Sequence, residues 1–536
     1  MSRKPGTWKL LALSLLVSLG PWSLPARAGS EAEVARAREM IDRFDYEAAH
    51  KELASLDPEE PGVRLERARL ALYEDRCDEA LAELVAFGQS KRPSAAIPDA
   101  AEAGAPLGAD AGAPDAVNAR RDLEDGAAGE AAYLFDVVRA CSRVTAGTIL
   151  EKDEARGVYV RFQDEHDRVL FAPLADALDR AKRVLEAELG VKMPGPVRVL
   201  FVRDQLSLAI TTGLPYEAAK KTGTLGVAKW GRVTMVTPRA THGYEWLDTV
   251  AHELTHLAIT RATADRAPLW LQEGLAKREE QKWRDATPRD GKLSPESLTL
   301  YGIDRKLDLP LDKLGPSLAM LPSAEQAMVV YAEVQSFVNH LVAVGGPDFL
   351  PKLLKEIGVD GDVDKALERA SGQNLGVWEK QFRAELAKAT RKPLPPLFDS
   401  GKSMKSQREL AERVRLAELL FARGHFDEAL AELARVEEDG ALDPRYRYVR
   451  SKALESAGQP TDGLLALGNA DDFWSNYGPY WALRARLETD QSGRDLARTE
   501  ALRADPLGNE SACGIPGNEP FCEAAAPSKA PGLGSD

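Results

Sequence analysis

The chain has 536 residues and a formal net charge of −14. That length holds several domains, and the acidic balance argues against nucleic-acid binding by bulk attraction to phosphates. The amino terminus reads as a secretory signal over residues 1–28. Arg3, Lys4 and Lys9 give it a positive start, and Leu10 to Leu19 form an apolar core too short for a comfortable membrane span. Ala26-Arg27-Ala28 is a small-residue cleavage site before Gly29, and no cysteine stands there to take a lipid. The expected product is exported, periplasmic or secreted, with no stable membrane insertion after cleavage. No other apolar run of membrane length is apparent in the sequence.

Residues 29–88 read as paired amphipathic helices. Tyr46-Glu47-Ala48-Ala49 and Cys77-Asp78-Glu79-Ala80 stand 31 residues apart in equivalent places. This pattern resembles the second helix of a tetratricopeptide repeat, where small residues let helices pack closely. Residues 89–129 are rich in Ala, Gly, Pro and Asp and too poor in large apolar groups to offset the cost of ordering, so a linker is expected. A helix over 130–148 would then rejoin the repeats.

Residues 149–392 form the next expected unit. Gly157–Phe162, Val169–Ala172, Val197–Val202, Leu225–Trp230 and Arg232–Thr237 read as strands, with a helix at Leu174–Leu189. A helical half follows, which gives an α+β layout. Its first long helix carries His252-Glu253-Leu254-Thr255-His256. A spacing of four puts both imidazoles on one helical face, one turn apart, where both can reach a single zinc ion. Glu253 beside the first histidine can serve as general base without being a ligand. Sixteen residues separate His256 from Glu273, in Pro268-Leu269-Trp270-Leu271-Gln272-Glu273-Gly274-Leu275-Ala276. This segment reads as a second helix, with Pro268 in its first turn. Three protein ligands, His252, His256 and Glu273, would hold one Zn2+ per chain and leave the fourth position open.

His252-Glu253-Leu254-Thr255-His256 followed by Leu269-Trp270-Leu271-Gln272-Glu273-Gly274-Leu275-Ala276 resembles the gluzincin metallopeptidases of the thermolysin-like superfamily, and most of all the bacterial peptidase MA-like domains. The resemblance covers roughly Gly157 to Lys392. It implies a zincin-like fold, the three ligands above, and Glu253 as base and later proton shuttle. It also implies a tyrosine on a later helix that donates to the oxyanion. Tyr331 is the candidate, with a core aromatic as its alternative reading. Three departures stand out. The gap before the third ligand is slightly shorter than in the related zinc aminopeptidases, and no segment resembles their amino-terminus binding motif. The acid expected four residues after the ligand Glu, to orient a zinc histidine, is Lys277 here. Asp248, one turn before His252, is a candidate for that partner, with a solvent-facing or capping acid as the preferred reading, and His340 reads as a packing or surface residue.

Residues 393–406 read as a basic, Pro-bearing link. Residues 407–500 return to the tetratricopeptide-like pattern, clearest in Leu416–Ala429 around Gly424, with further helices at Tyr446–Gly458 and Trp474–Leu487. Residues 501–536 read as a low-complexity tail. The four cysteines match no metal signature and allow three pairings; Cys513 with Cys522 and Cys77 with Cys141 is the pairing expected. The leading reading is a zinc endopeptidase acting on a peptide or protein substrate, with a possible protein partner at the helical repeats. The alternative is a cell-envelope binding or assembly protein that keeps the peptidase fold with little or no catalysis.

Overall fold

The structure is a computed structural model that describes residues 26–90, 127–240, 243–285, 294–314, 318, 321–389, 404–441, 443–468, 477–513 and 518–525. Most of the expected signal lies outside the described residues. So do residues 91–126 of the linker expected over 89–129, residues 393–403 of the one expected over 393–406, and the last eleven positions, 526–536. The described chain is mostly helical around one mixed five-stranded sheet, a layout compatible with an α+β fold.

The strands are β1 (Ile149–Asp153), β2 (Val158–Phe162), β3 (Val197–Val202), β4 (Gly226–Lys229) and β5 (Arg232–Val236), in the order β1-β2-β3-β5-β4. The central three run parallel, while β1 and β4 are antiparallel edges. Alternation in β2 turns Val158, Val160 and Phe162 into the core, where Phe162 stacks on Phe201. Both faces of β5 are covered, so all of its residues are buried. Val199, Phe201, Val233 and Met235 share a core with helices Phe171–Leu189 and Trp246–Thr263. Leu200, Val202 and Val236 pack on the other side with Leu208 and Val144.

The expected strand at Val169–Ala172 is absent. A 3-10 turn, Glu165–Leu170, runs there directly into helix Phe171–Leu189. Leu170, Leu174, Leu178 and Leu185 are buried together at helical spacing, and Pro173 sits in the first turn, where its missing N–H costs nothing. The short apolar run therefore belongs to a helix face. Strand β1 escaped the sequence reading because Glu151, Lys152 and Asp153 give it an exposed, charged edge character.

Before the sheet, helix pairs Ala26–Asp42 with Tyr46–Ala54 and Pro61–Tyr73 with Cys77–Ser90 join helix Ala127–Thr145 in the main core. Tyr46 and Cys77 each open the second helix of a pair. Arg43 donates to the carbonyls of Ala262 and Gly358, and Tyr73 and Tyr133 enclose Trp230 at the β4–β5 turn. Cys77 is bonded to Cys141, and Cys513 to Cys522.

Helix Ala324–Gly345 is apolar and long enough to cross a membrane, contrary to the sequence reading, but more than half of it is buried within the fold. Beyond it, helices Phe349–Asp360, Val363–Ser371 and Leu375–Leu386 complete the middle region. Met404–Phe421, Phe426–Ala434, Pro444–Ser456, Pro460–Leu467, Gly478–Leu487 and Gln491–Ala504 then stack on two smaller cores of their own. The segment expected as a low-complexity tail forms helices Asn509–Ala512 and Glu519–Ala525, and Leu507 and Ala524 enter the main core.

Candidate metal centre

Helix Trp246–Thr263 buries Val250, Leu254, Leu257, Ala258 and Ile259 against the sheet and its neighbours. Its other face carries His252, Glu253 and His256. Ala264 closes it in the left-handed region (φ 51°), and the chain turns back into helix Leu269–Glu279. Trp270, Leu271 and Leu275 anchor this second helix in the core and leave Glu273 facing the histidines. Gly274 lets the helix lie directly on Ala324–Gly345: a Cβ there would stand 2.6 Å from the Val334 carbonyl oxygen. That contact brings the helix of Tyr331 up to the site.

The Nε2 atoms of His252 and His256 are 3.2 Å apart, and each is 3.5 Å from Oε2 of Glu273. A tetrahedral zinc with bonds of the usual length needs ligand atoms roughly 3.3 Å apart, so this triangle fits one face of such a site. Glu273 Oε2 is buried without a hydrogen-bond partner among the described residues. An acceptor stranded between two imidazole nitrogens is what a shared cation would satisfy. A second cluster, Asp75, Cys77 and Cys141, does not fit a cation: its sulfurs are joined and face the Arg232 guanidinium.

Each imidazole is held from behind. His252 Nδ1 is 3.1 Å from Oε2 of Glu280, and His256 Nδ1 is 3.3 Å from Oε1 of Gln272. Donation through Nδ1 leaves each Nε2 lone pair aimed at the centre. Lys277 Nζ sits 2.6 and 2.8 Å from the two oxygens of Glu280. Neither Glu280 nor Gln272 was identified as a partner from sequence. Glu280 lies seven residues after Glu273, two turns on along the same face, so the helical period was the available signal.

The electrostatics follow from burial and close charges. Burial opposes charge on His252, but Glu273 and Glu280 outweigh it and bring the imidazole up to about 9. Burial likewise opposes charge on Glu273, yet the two histidines hold its carboxyl far below the usual range. Burial raises the carboxyl of Glu253 against the pull of both histidines. Burial also drives the Tyr331 phenol well above its ordinary value, helped by Glu273, Glu253 and Glu280.

Glu253 rests on β4. Its carboxylate lies beside the backbone of Ala228, and Gly226 leaves room for its side chain. The Tyr331 ring lies 6.3 Å from the His252 ring, edge to face. The five residues singled out from sequence, His252, Glu253, His256, Glu273 and Tyr331, are thus brought together. Asp248 is not the solvent-facing or capping acid expected. It is buried, forked by Arg284 and bonded to Trp283 Nε1, so it fixes the first turn of the histidine helix. His340 lies apart, packed by Trp378 and Phe382. No known family model, curated protein or solved structure matches this chain.

Proposed function

We propose that this chain is an exported zinc-dependent endopeptidase of the gluzincin, peptidase MA-like kind, flanked by tetratricopeptide-like helix pairs. The observation that supports it best is the triangle of His252, His256 and Glu273 donor atoms beside the buried carboxyl of Glu253. Bound there, zinc would supply a Lewis acid that polarises a water molecule and the scissile carbonyl.

The remaining chemistry belongs to side chains and backbone. Glu253, its proton affinity raised by burial, takes the proton of the attacking water and later delivers it to the leaving amine. The Tyr331 hydroxyl donates to the negative charge that develops on the carbonyl oxygen. Glu280 and Gln272 keep the two imidazoles oriented.

Strand β4 is the surface on which a substrate would lie. Leu225 accepts from Val236 on the β5 side, so the antiparallel alternation turns the backbone groups of Gly226 and Ala228 outward. The Ala228 backbone faces Glu253. An extended peptide pairing with Gly226 would add a strand to this edge beside the base. This route takes internal segments of a chain as readily as ends.

The decisive experiment measures zinc in the purified chain from Gly29 onward and in its Glu273→Ala variant, then exposes both to a peptide library. About one zinc per chain, weakened by the substitution and accompanied by cleavage, supports the reading. Zinc without cleavage of any peptide favours the assembly-protein alternative, and no zinc after repletion defeats both the metal assignment and the mechanism.

A further inference from the structure

The start of the histidine helix also meets the far end of the chain. Glu245 precedes Trp246, yet its side chain does not cap the helix. Its carboxylate is held by both terminal nitrogens of Arg503, on helix Gln491–Ala504, with Nη2 2.5 Å from Oε1. Each side chain of the pair is only 20% exposed. A forked guanidinium–carboxylate pair fixes direction as well as distance.

Two further contacts join the same loop to the same region. Gly243 (φ 93°) lies directly on the end of helix Gln491–Ala504. A Cβ there would overlap the Ala504 carbonyl oxygen and stand 2.6 Å from Cβ of Asp505. Arg239 donates through Nε and Nη2 to one oxygen of Asp167 and through Nη1 to the carbonyl of Ala524. Leu507 and Ala524 bury themselves in the main core, so this stretch belongs to the body that holds the site.

We propose that the C-terminal segment is a positioning element for the metal centre, with Arg503 fixing the first turn of the histidine helix through Glu245. The path is short. The Thr249 hydroxyl donates to the Glu245 carbonyl over 2.8 Å, and the Thr249 methyl borders the same space above Gly226 that Glu253 fills. Asp248, held by Arg284 and Trp283, clamps the same turn from another side. Glu273 is anchored independently through Gly274, so a tilt of the histidine helix moves two corners of the donor triangle against the third.

The inference rests on the metal-centre reading, and its test separates the two. Arg503→Glu, Arg503→Lys and the charge swap Glu245→Arg/Arg503→Glu are made in the full chain. Cobalt(II) is the probe, because its visible absorption reports ligand geometry. Hydrogen exchange is followed over residues 246–256. Arg503→Glu is expected to weaken cobalt binding about tenfold, change the spectrum and speed exchange in the first turn. Arg503→Lys recovers part of the loss, and the swap restores binding to within about threefold. Wild-type cobalt affinity and exchange in Arg503→Glu overturn the proposal, as does a swap no better than the single variant. If Arg503→Glu does not fold, Glu245→Gln replaces it with the same expectations. A wild-type chain that binds no cobalt sinks the metal reading. Exchange over 246–252 then decides alone, faster in the variant supporting the positioning role and unchanged refuting it.

Discussion

Glu253 occupies the space that a side chain at Gly226 would need: a Cβ there would stand 3.0 Å from both Cγ and Oε1 of the glutamate. The backbone at Gly226 is ordinary strand, so alanine would be tolerated by the chain itself. The cost falls on the carboxylate and on the Thr249 methyl, also 3.0 Å away, which must give by a few tenths of an ångström. Gly226→Ala is expected to lower kcat about tenfold and Gly226→Val about a hundredfold, with zinc content unchanged in both. Peptide kinetics beside metal analysis checks this; full activity in the valine variant would refute the placement of the base.

Glu253→Gln tests the base directly. The amide keeps the shape and can still meet β4, but it cannot take a proton. Zinc content should stay at wild type while hydrolysis falls by roughly 100- to 10,000-fold. A purified variant of normal activity would falsify the mechanism.

The sequence carried some of this site and hid the rest, for definable reasons. Two histidines four apart need only helix geometry to share a face, and Trp246–Thr263 supplies it. Glu280 is hard to see in the sequence because the resemblance points to the fourth position after Glu273, where Lys277 stands, while the acid sits one turn later. Asp248 looked exposed because its partners, Trp283 and Arg284, are 35 and 36 residues away. Val169–Ala172 misled because four consecutive apolar residues show no period. The tail misled for a different reason. It is poor in large apolar residues, but Leu507 and Ala524 need only one prepared surface each, and that surface is built by distant parts of the chain.

Tyr331→Phe separates the oxyanion role from packing. The ring that meets His252 edge to face is retained, and only the hydroxyl is lost. If the phenol donates in the transition state, kcat falls by about 100- to 1,000-fold with KM little changed. Unchanged kcat would leave Tyr331 a packing residue.

The metal-free chain should show a distinctive dependence on pH. His252 is raised to about 9 in the folded state, above the ordinary value of about 6.5. A group raised by folding adds stability that is full below its unfolded value and is lost as pH climbs through the folded one. The metal-free chain therefore loses stability between about pH 6.5 and 9. Zinc takes the place of that proton, so the rise in Tm produced by zinc should widen across the same window. Thermal melts with zinc and with chelator at several pH values check this; a zinc-induced shift that is flat or shrinks toward pH 9 would contradict it.

Glu280→Gln removes the charge behind His252 and keeps the length. The amide still offers an oxygen to Nδ1, but the Lys277 ammonium loses its carboxylate and His252 loses part of the basicity that favours a metal. Zinc affinity, measured by competition with a chelator, is expected to drop by about 10- to 100-fold. Gln272→Ala acts on the other imidazole through a longer and uncharged contact of 3.3 Å, and its effect should be smaller. That ordering is the informative result. If both variants bind zinc as the wild type does, the contacts behind the histidines are packing and the donor triangle holds the metal unaided.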